Sequence, residues 1–151
     1  MSDPHVLITL DRHQRSFIPG DILAAECRVE PLSLVEPRAL EISVLWYTEG
    51  KGEEDLAVHY FNRLASDESG GVDLRRPYRF STRLPSSPLS YEGVIVKIRW
   101  CVRARLFLAR GREIVSELPF RLGHVPPAAA IMARRDTAAE SSQHRASAPS
   151  T

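Results

Sequence analysis

Across residues 6–122, apolar side chains recur at every second position, and that period of two limits the chain to strands. Val6, Ile8 and Leu10 alternate in a first strand. A turn follows at Phe17-Ile18-Pro19-Gly20-Asp21. In the second strand Leu23, Ala25, Cys27 and Val29 share one face, with Glu26, Arg28 and Glu30 opposite. In the third, Leu40, Ile42, Val44 and Trp46 alternate with Glu41 and Ser43. The alternation blurs in a fourth strand over residues 56–64 and returns in a fifth with Tyr78, Phe80 and Leu84 against Arg79, Ser81 and Arg83. A long sixth strand spans residues 93–108, with Val94, Val96, Ile98, Trp100, Val102, Ala104 and Leu106 on one side. Ile114, Leu118, Phe120 and Leu122 face the core from a seventh. About seven strands without a convincing amphipathic helix make an all-β chain, an antiparallel immunoglobulin-like β-sandwich. Alternation survives in the sequence because one face of each sheet is packed and the other is wet.

The breaks between strands fall where the backbone chemistry asks for them. Pro31 and Pro37 bracket one loop, and residues 66–73, with Gly70 and Gly71, form a second that is expected to be mobile. Residues 85–90 are a Pro/Ser linker. With 151 residues there is room for one domain, placed at residues 1–125. Residues 126–151 differ in kind. They are rich in Ala, Ser and Pro and offer only Ile131 and Met132 as large apolar side chains, so they are expected to be a disordered tail.

Charge and targeting narrow the function classes. The 20 basic and 19 acidic side chains leave +1, unlike a dedicated nucleic-acid binder with its large basic excess. No stretch approaches the apolar length of a transmembrane helix, and residues 1–10 lack the long apolar run of a signal peptide. The expected compartment is the cytoplasm.

Cys27, Trp46 and Cys101 fall on the second, third and sixth strands, where an immunoglobulin domain carries its disulfide and core tryptophan. Parity argues against that bond. Cys27 shares a face with Leu23, Ala25 and Val29 and points inward; Cys101 shares one with Lys97, Arg99, Arg103 and Arg105 and points outward. A one-residue slip would be needed to bring them together. Two free thiols are expected.

Two segments carry a family resemblance. Phe17-Ile18-Pro19-Gly20-Asp21-Ile22-Leu23-Ala24-Ala25 resembles the opening of arrestin-fold proteins. The second is Phe80-Ser81-Thr82-Arg83-Leu84-Pro85, then Pro88-Leu89-Ser90-Tyr91-Glu92-Gly93, then Ile98-Arg99-Trp100-Cys101-Val102-Arg103-Ala104. It is similar to the arrestin-family pattern of a strand ending in Leu-Pro, a Pro/Ser/Gly crossover, and a long strand with an aromatic residue. The resemblance covers about residues 6–122 and implies the sandwich shared by arrestins, Vps26 proteins and sporulation-control proteins of the Spo0M type. Those proteins usually carry two lobes, and this chain has room for one. No functional residue is transferred.

No nucleophile elbow, H-E-x-x-H, P-loop or C-x-x-C occurs, so no catalytic, cofactor or metal residue is assigned. His59 near Asp55 offers an imaginable base, and a surface histidine is the plainer reading. Arginines beside Cys101 would lower a thiol pKa, if their placement is not incidental. Glu53, Glu54 and Asp55 form an acidic turn with too few oxygens at defined positions for calcium. The strongest constellation is the outward stripe Lys97, Arg99, Arg103 and Arg105, a candidate docking surface for an acidic partner. Its alternative is cross-strand pairing with Glu41, Glu113 and Glu117, which share the outward parity. The expected function is a non-enzymatic, bacterial-type interaction module, an adaptor or regulatory scaffold. Its partner would be a protein, or a second copy joined through a sheet edge. The alternatives are a small-ligand protein or enzyme with a pocket near the loops, and a basic-face binder of membrane or acidic ligand.

Overall fold

The computed structural model describes residues 4–30, 37–66 and 73–123. Among the described residues, nine strand segments run in chain order as β1 (His5–Leu10), β2 (Ser16–Phe17), β3 (Ile22–Glu30), β4 (Pro37–Gly50), β5 (Leu56–Ala65), β6 (Tyr78–Arg83), β7 (Tyr91–Glu92), β8 (Val96–Leu108) and β9 (Glu113–Leu122). They form a three-stranded sheet, β1-β3-β6, and a six-stranded sheet, β2-β9-β8-β4-β5, with β7 added on β8. The seven expected strands are all present. The two additions, β2 and β7, are two residues long, too short for any period to show. β2 lies parallel to β9, so the larger sheet is mixed and not wholly antiparallel.

The core lies between the sheets and is built from the alternating residues. β1 and β3 contribute Val6, Ile8, Leu10, Leu23, Ala25, Cys27 and Val29. β4 and β8 answer with Leu40, Ile42, Val44, Trp100, Val102, Ala104 and Leu106. Trp100 is 1% exposed, and its indole N–H donates to the Pro88 carbonyl at 2.8 Å, so the crossover before β7 is tied to the core. Phe120 stands 5.9 Å from the Trp100 ring, and Phe17 meets Phe120 edge-on at 5.4 Å. This second contact fixes the short β2 against β9.

The sandwich is closed differently on its two sides. On one side the Val6 amide of β1 donates to Ser116 Oγ of β9 at 3.2 Å. On the other, β5 is laced to β6 by side chains. Asn62 donates to the Tyr78 hydroxyl at 2.7 Å, Tyr60 and Tyr78 hydroxyls lie 3.2 Å apart, and the Tyr60 and Phe80 rings stack at 4.8 Å. The blurred alternation of β5 has a physical cause. Val44 pairs with Tyr60 but Leu45 pairs with Val58, leaving His59 as an extra residue in a bulge. The bulge turns His59 toward the other sheet, where its Nε2 sits 2.8 Å from the Arg83 carbonyl.

Two sequence expectations need correction. The long strand begins at Val96 and not at residue 93. The Gly93 amide donates to the Val96 carbonyl at 3.0 Å and closes a hairpin, so Val94 is 93% exposed and Val96 is 37% exposed instead of packed. Cys101 keeps its outward parity, yet it is buried at 2% exposure beside Leu45 on the outer face of the larger sheet. The expected loop over residues 66–73 falls largely outside the described residues, and the expected tail over residues 126–151 falls wholly outside them. No described helix is long and apolar enough to cross a membrane.

Trp100 supplies the largest fully buried side chain. Trp100→Ala is expected to lower unfolding free energy by about 3–5 kcal/mol, read by urea denaturation. A loss below about 1 kcal/mol would show that the indole is not the centre of the core.

Candidate functional site

The outward face of β8 presents Lys97, Arg99, Arg103 and Arg105 as the parity demands, and each meets a carboxylate. Arg103 lies opposite Glu117 in register, with Nε 2.8 Å from its carboxylate. Arg105 donates to Glu113 at 2.6 Å and stands 3.9 Å from Glu41. Arg99 bridges two strands, reaching Glu49 of β4 at 2.8 Å and Glu92 of β7 at 3.1 Å. Lys97 lies 3.8 Å from Glu92. Glu41 also accepts from Arg63 at 2.7 Å, and both Arg63 and Arg105 stack over the Phe107 ring at 5.2 and 5.6 Å. Five glutamates thus answer five cations across β5, β4, β8, β7 and β9. Glu41, Glu113 and Glu117 are the expected partners. Glu49 lies near the end of β4, and Glu92 is carried by the two-residue β7, whose pairing only the fold reveals. The hydrogen bond that Arg99 donates to Glu49 raises the Arg99 pKa, against a smaller opposing effect of burial.

Beneath this network lies Cys101, between Leu45 and Pro119 in register and flanked on its own strand by Arg99 and Arg103. It is 2% exposed. Burial pushes its thiol to about 12, Glu117 adds to the rise, and Arg103 only partly opposes it. The lowered pKa considered from the neighbouring arginines is therefore reversed, because burial, with Glu117 beside it, outweighs the opposing effect of Arg103. Cys27, in the core, is also pushed up to about 12, first by burial and then by Glu26. Both cysteines are free, as parity requires.

His59 is held by the Arg83 carbonyl and by Thr82 Oγ1 at 3.3 Å, and it packs edge-on to Trp100 at 6.2 Å. It is a strut between sheets and is not placed with Asp55. Glu53, Glu54 and Asp55 are exposed on the turn after β4, and the described residues hold no group of three metal-ligating side chains. A shallow groove of about 280 Å³ opens beside β2 and β9, where Arg15, Arg99 and Arg121 surround Ser16, Ser90 and the edge of Trp100. Arg15 is anchored to the Pro119 carbonyl at 2.8 Å. No local sequence pattern marks it, because its walls come from four separate segments.

The feature that alternation disguised is the tip of the β7–β8 hairpin. Val94 and Ile95 occupy the turn and are 93% and 71% exposed. Turn positions favour Gly, Asn and Asp, so two β-branched apolar residues there serve no local need. The tip is braced. The Lys51 amide donates to the Ile95 carbonyl at 3.3 Å, and a Cβ at Gly50, whose φ is +145°, would collide with that same carbonyl. Only glycine permits this approach.

Comparison with known proteins was made on sequence and on shape. No family model matches, and no curated protein sequence matches. Among solved structures the chain is similar to Spo0M, a sporulation control protein from Bacillus subtilis, with a TM-score of 0.58 and 14% identity. The match covers 83% of this chain and 51% of that one, so it spans about half the length of Spo0M. The fold is arrestin-like. A β-glucosidase from Listeria innocua aligns over 81% of this chain and 16% of its own at a TM-score of 0.35 and 14% identity. In the arrestin-like lobe the Pro/Ser crossover before β7 does what the sequence resemblance implied. It carries the chain from β6 of one sheet to β7 and β8 of the other.

The thiols give a direct check. Their ordinary value is 9.0 and both rise to about 12 in the folded lobe. Neither is expected to react with a thiol reagent at neutral pH until the chain unfolds. Because the folded pKa lies above the unfolded one, their contribution to stability is complete below pH 9 and is lost as pH climbs toward 12. Rapid labelling of Cys101 in the native protein would contradict this.

Proposed function

We propose that this chain is a protein-interaction module, an adaptor or regulatory scaffold built on a single arrestin-like lobe, that works by docking and not by catalysis in a bacterial cytoplasm. The observation that carries this reading is the hairpin tip. Val94 and Ile95 project together from a turn braced by the Lys51 amide, and two adjacent apolar side chains held out in water offer a contact for an apolar pocket on a partner. A rigid tip loses little conformational entropy on docking, which favours binding to an apolar pocket on a partner. The similarity in shape to a sporulation control protein supports a regulatory role.

The groups that the sequence offered for chemistry have structural work instead. His59 is bonded between the sheets, and Cys101 is buried with its proton held. Lys97, Arg99, Arg103 and Arg105 stay a candidate contact surface, but their charge is balanced on the sheet itself, so long-range attraction of an acidic partner is not what they offer.

Affinity capture from a bacterial extract tests the reading. A partner is expected to be retained by the unaltered chain and lost with Val94→Asp/Ile95→Asp, while circular dichroism of the variant is unchanged. Recovery of the same proteins by both chains would sink the proposal.

A further inference from the structure

We infer that the groove beside β2 and β9 is a binding site for a small organic acid, one carboxylate carried on an apolar body. The inference is independent of the docking tip.

The groove exists because β8 changes neighbours there. Trp100 pairs with Phe120 of β9, and Ile98 pairs with Tyr91 of β7. Arg99 falls between the two and has no cross-strand partner on that side, so the sheet is notched at its position. β2 and the end of β9 line the notch together with Ser90 and Glu92. Ser90 fixes its width. The Ser90 amide donates to the Leu122 carbonyl and the Ser90 Oγ accepts from the Leu122 amide, both at 2.8 Å. Neither bond uses the hydroxyl proton, which can be donated to a ligand.

Three arginines line the notch, and their charges are answered unequally. Arg99 is tied to Glu49 and Glu92. Arg15 spends its Nε–H on the Pro119 carbonyl at 2.8 Å, which fixes the side chain and leaves its two terminal nitrogens without a partner among the described residues. Arg121 has no carboxylate within ion-pairing distance among the described residues. Its backbone amide donates to the Arg15 carbonyl at 2.8 Å, so the two side chains leave from neighbouring backbone. Two unanswered guanidinium groups in one groove repel each other, and an anion between them removes that cost. On the stripe, by contrast, each arginine already has its glutamate.

The remaining lining selects the anion. Glu92 opposes a second negative charge, which favours a monoanion over a phosphate dianion. The two oxygens of a carboxylate match the forked N–H groups that arginine presents. Ile98, Pro119 and Phe120 supply apolar contact for the body of the ligand. A volume of about 280 Å³ suits a small molecule and not a folded partner.

Titration of the full chain with phenylacetate, followed by NMR of amide and indole N–H groups, tests this. Saturable shifts are expected at Ser16, Ser90, Arg121 and the Trp100 indole. None is expected with phenylacetamide, which has the same body without the charge. Arg121→Gln is expected to weaken binding by about tenfold or more, with Arg15→Gln as the second variant if the first does not fold. Arg103→Gln, at a position paired with Glu117, is expected to leave binding unchanged. Asp136→Asn/Glu140→Gln, which removes the side-chain carboxylates beyond residue 123, is expected to leave it unchanged too. A marked gain in affinity in that variant would show that the chain's own carboxylates take the groove. That gain, no saturable shifts with phenylacetate, equal binding of the amide, tighter binding of phenyl phosphate, or affinity indifferent to Arg121 and Arg15 would each overturn the inference. Val94→Asp/Ile95→Asp leaves phenylacetate binding intact on this account, so failure of the docking tip and failure of the groove are distinguishable.

Discussion

The rest of the structure depends on the central strand β8 having two faces that do opposite things. Inward, Trp100, Val102, Ala104 and Leu106 are 0–1% exposed and hold the two sheets together. Outward, Arg99, Arg103 and Arg105 are tied to glutamates on both neighbouring strands and on β7. Each exposed pair is worth little, about 0.2–1 kcal/mol. Their collective effect is electrical. They cancel the positive field of an arginine-rich strand on the face where Leu45 and Cys101 are also buried. A strand with the same inner face and unanswered cations outside would be a different protein, attractive to any polyanion.

This division explains how much was legible in the sequence. The inner face could be read almost residue by residue, because burial between two sheets enforces a strict period of two. The outer pairing with Glu41, Glu113 and Glu117 could be read too, since parity and strand order suffice to bring them beside β8. What could not be read depended on breaks in that regularity. The bulge at His59 blurred β5 because one extra residue reverses parity downstream. The exposed Val94 reads as core in the sequence because a hairpin tip and a strand start share the same residue types, and only the Gly93–Val96 bond separates them. Parity turns Cys101 outward, as the structure has it, but parity says nothing of burial on that face, where Cys101 is 2% exposed. The groove beside β2 draws on distant segments and has no local pattern at all.

The functional picture follows from what the neutral outer face leaves over. With the charges of that face satisfied on the sheet, two features stand out: the apolar hairpin tip at Val94 and Ile95, and the groove where Arg15 and Arg121 have no carboxylate among the described residues. One is a compact projection suited to a pocket. The other is a pocket suited to a small acid.

The central claim is that partner docking by this lobe is apolar, because its arginine stripe is internally neutralised. It is tested most directly by measuring the affinity of a captured partner as a function of salt. The account expects a dissociation constant nearly flat across ionic strength. A steep loss of affinity with salt, abolished by reversing the charge of Arg103 and Arg105, would show that the stripe is free to bind and contradict the account.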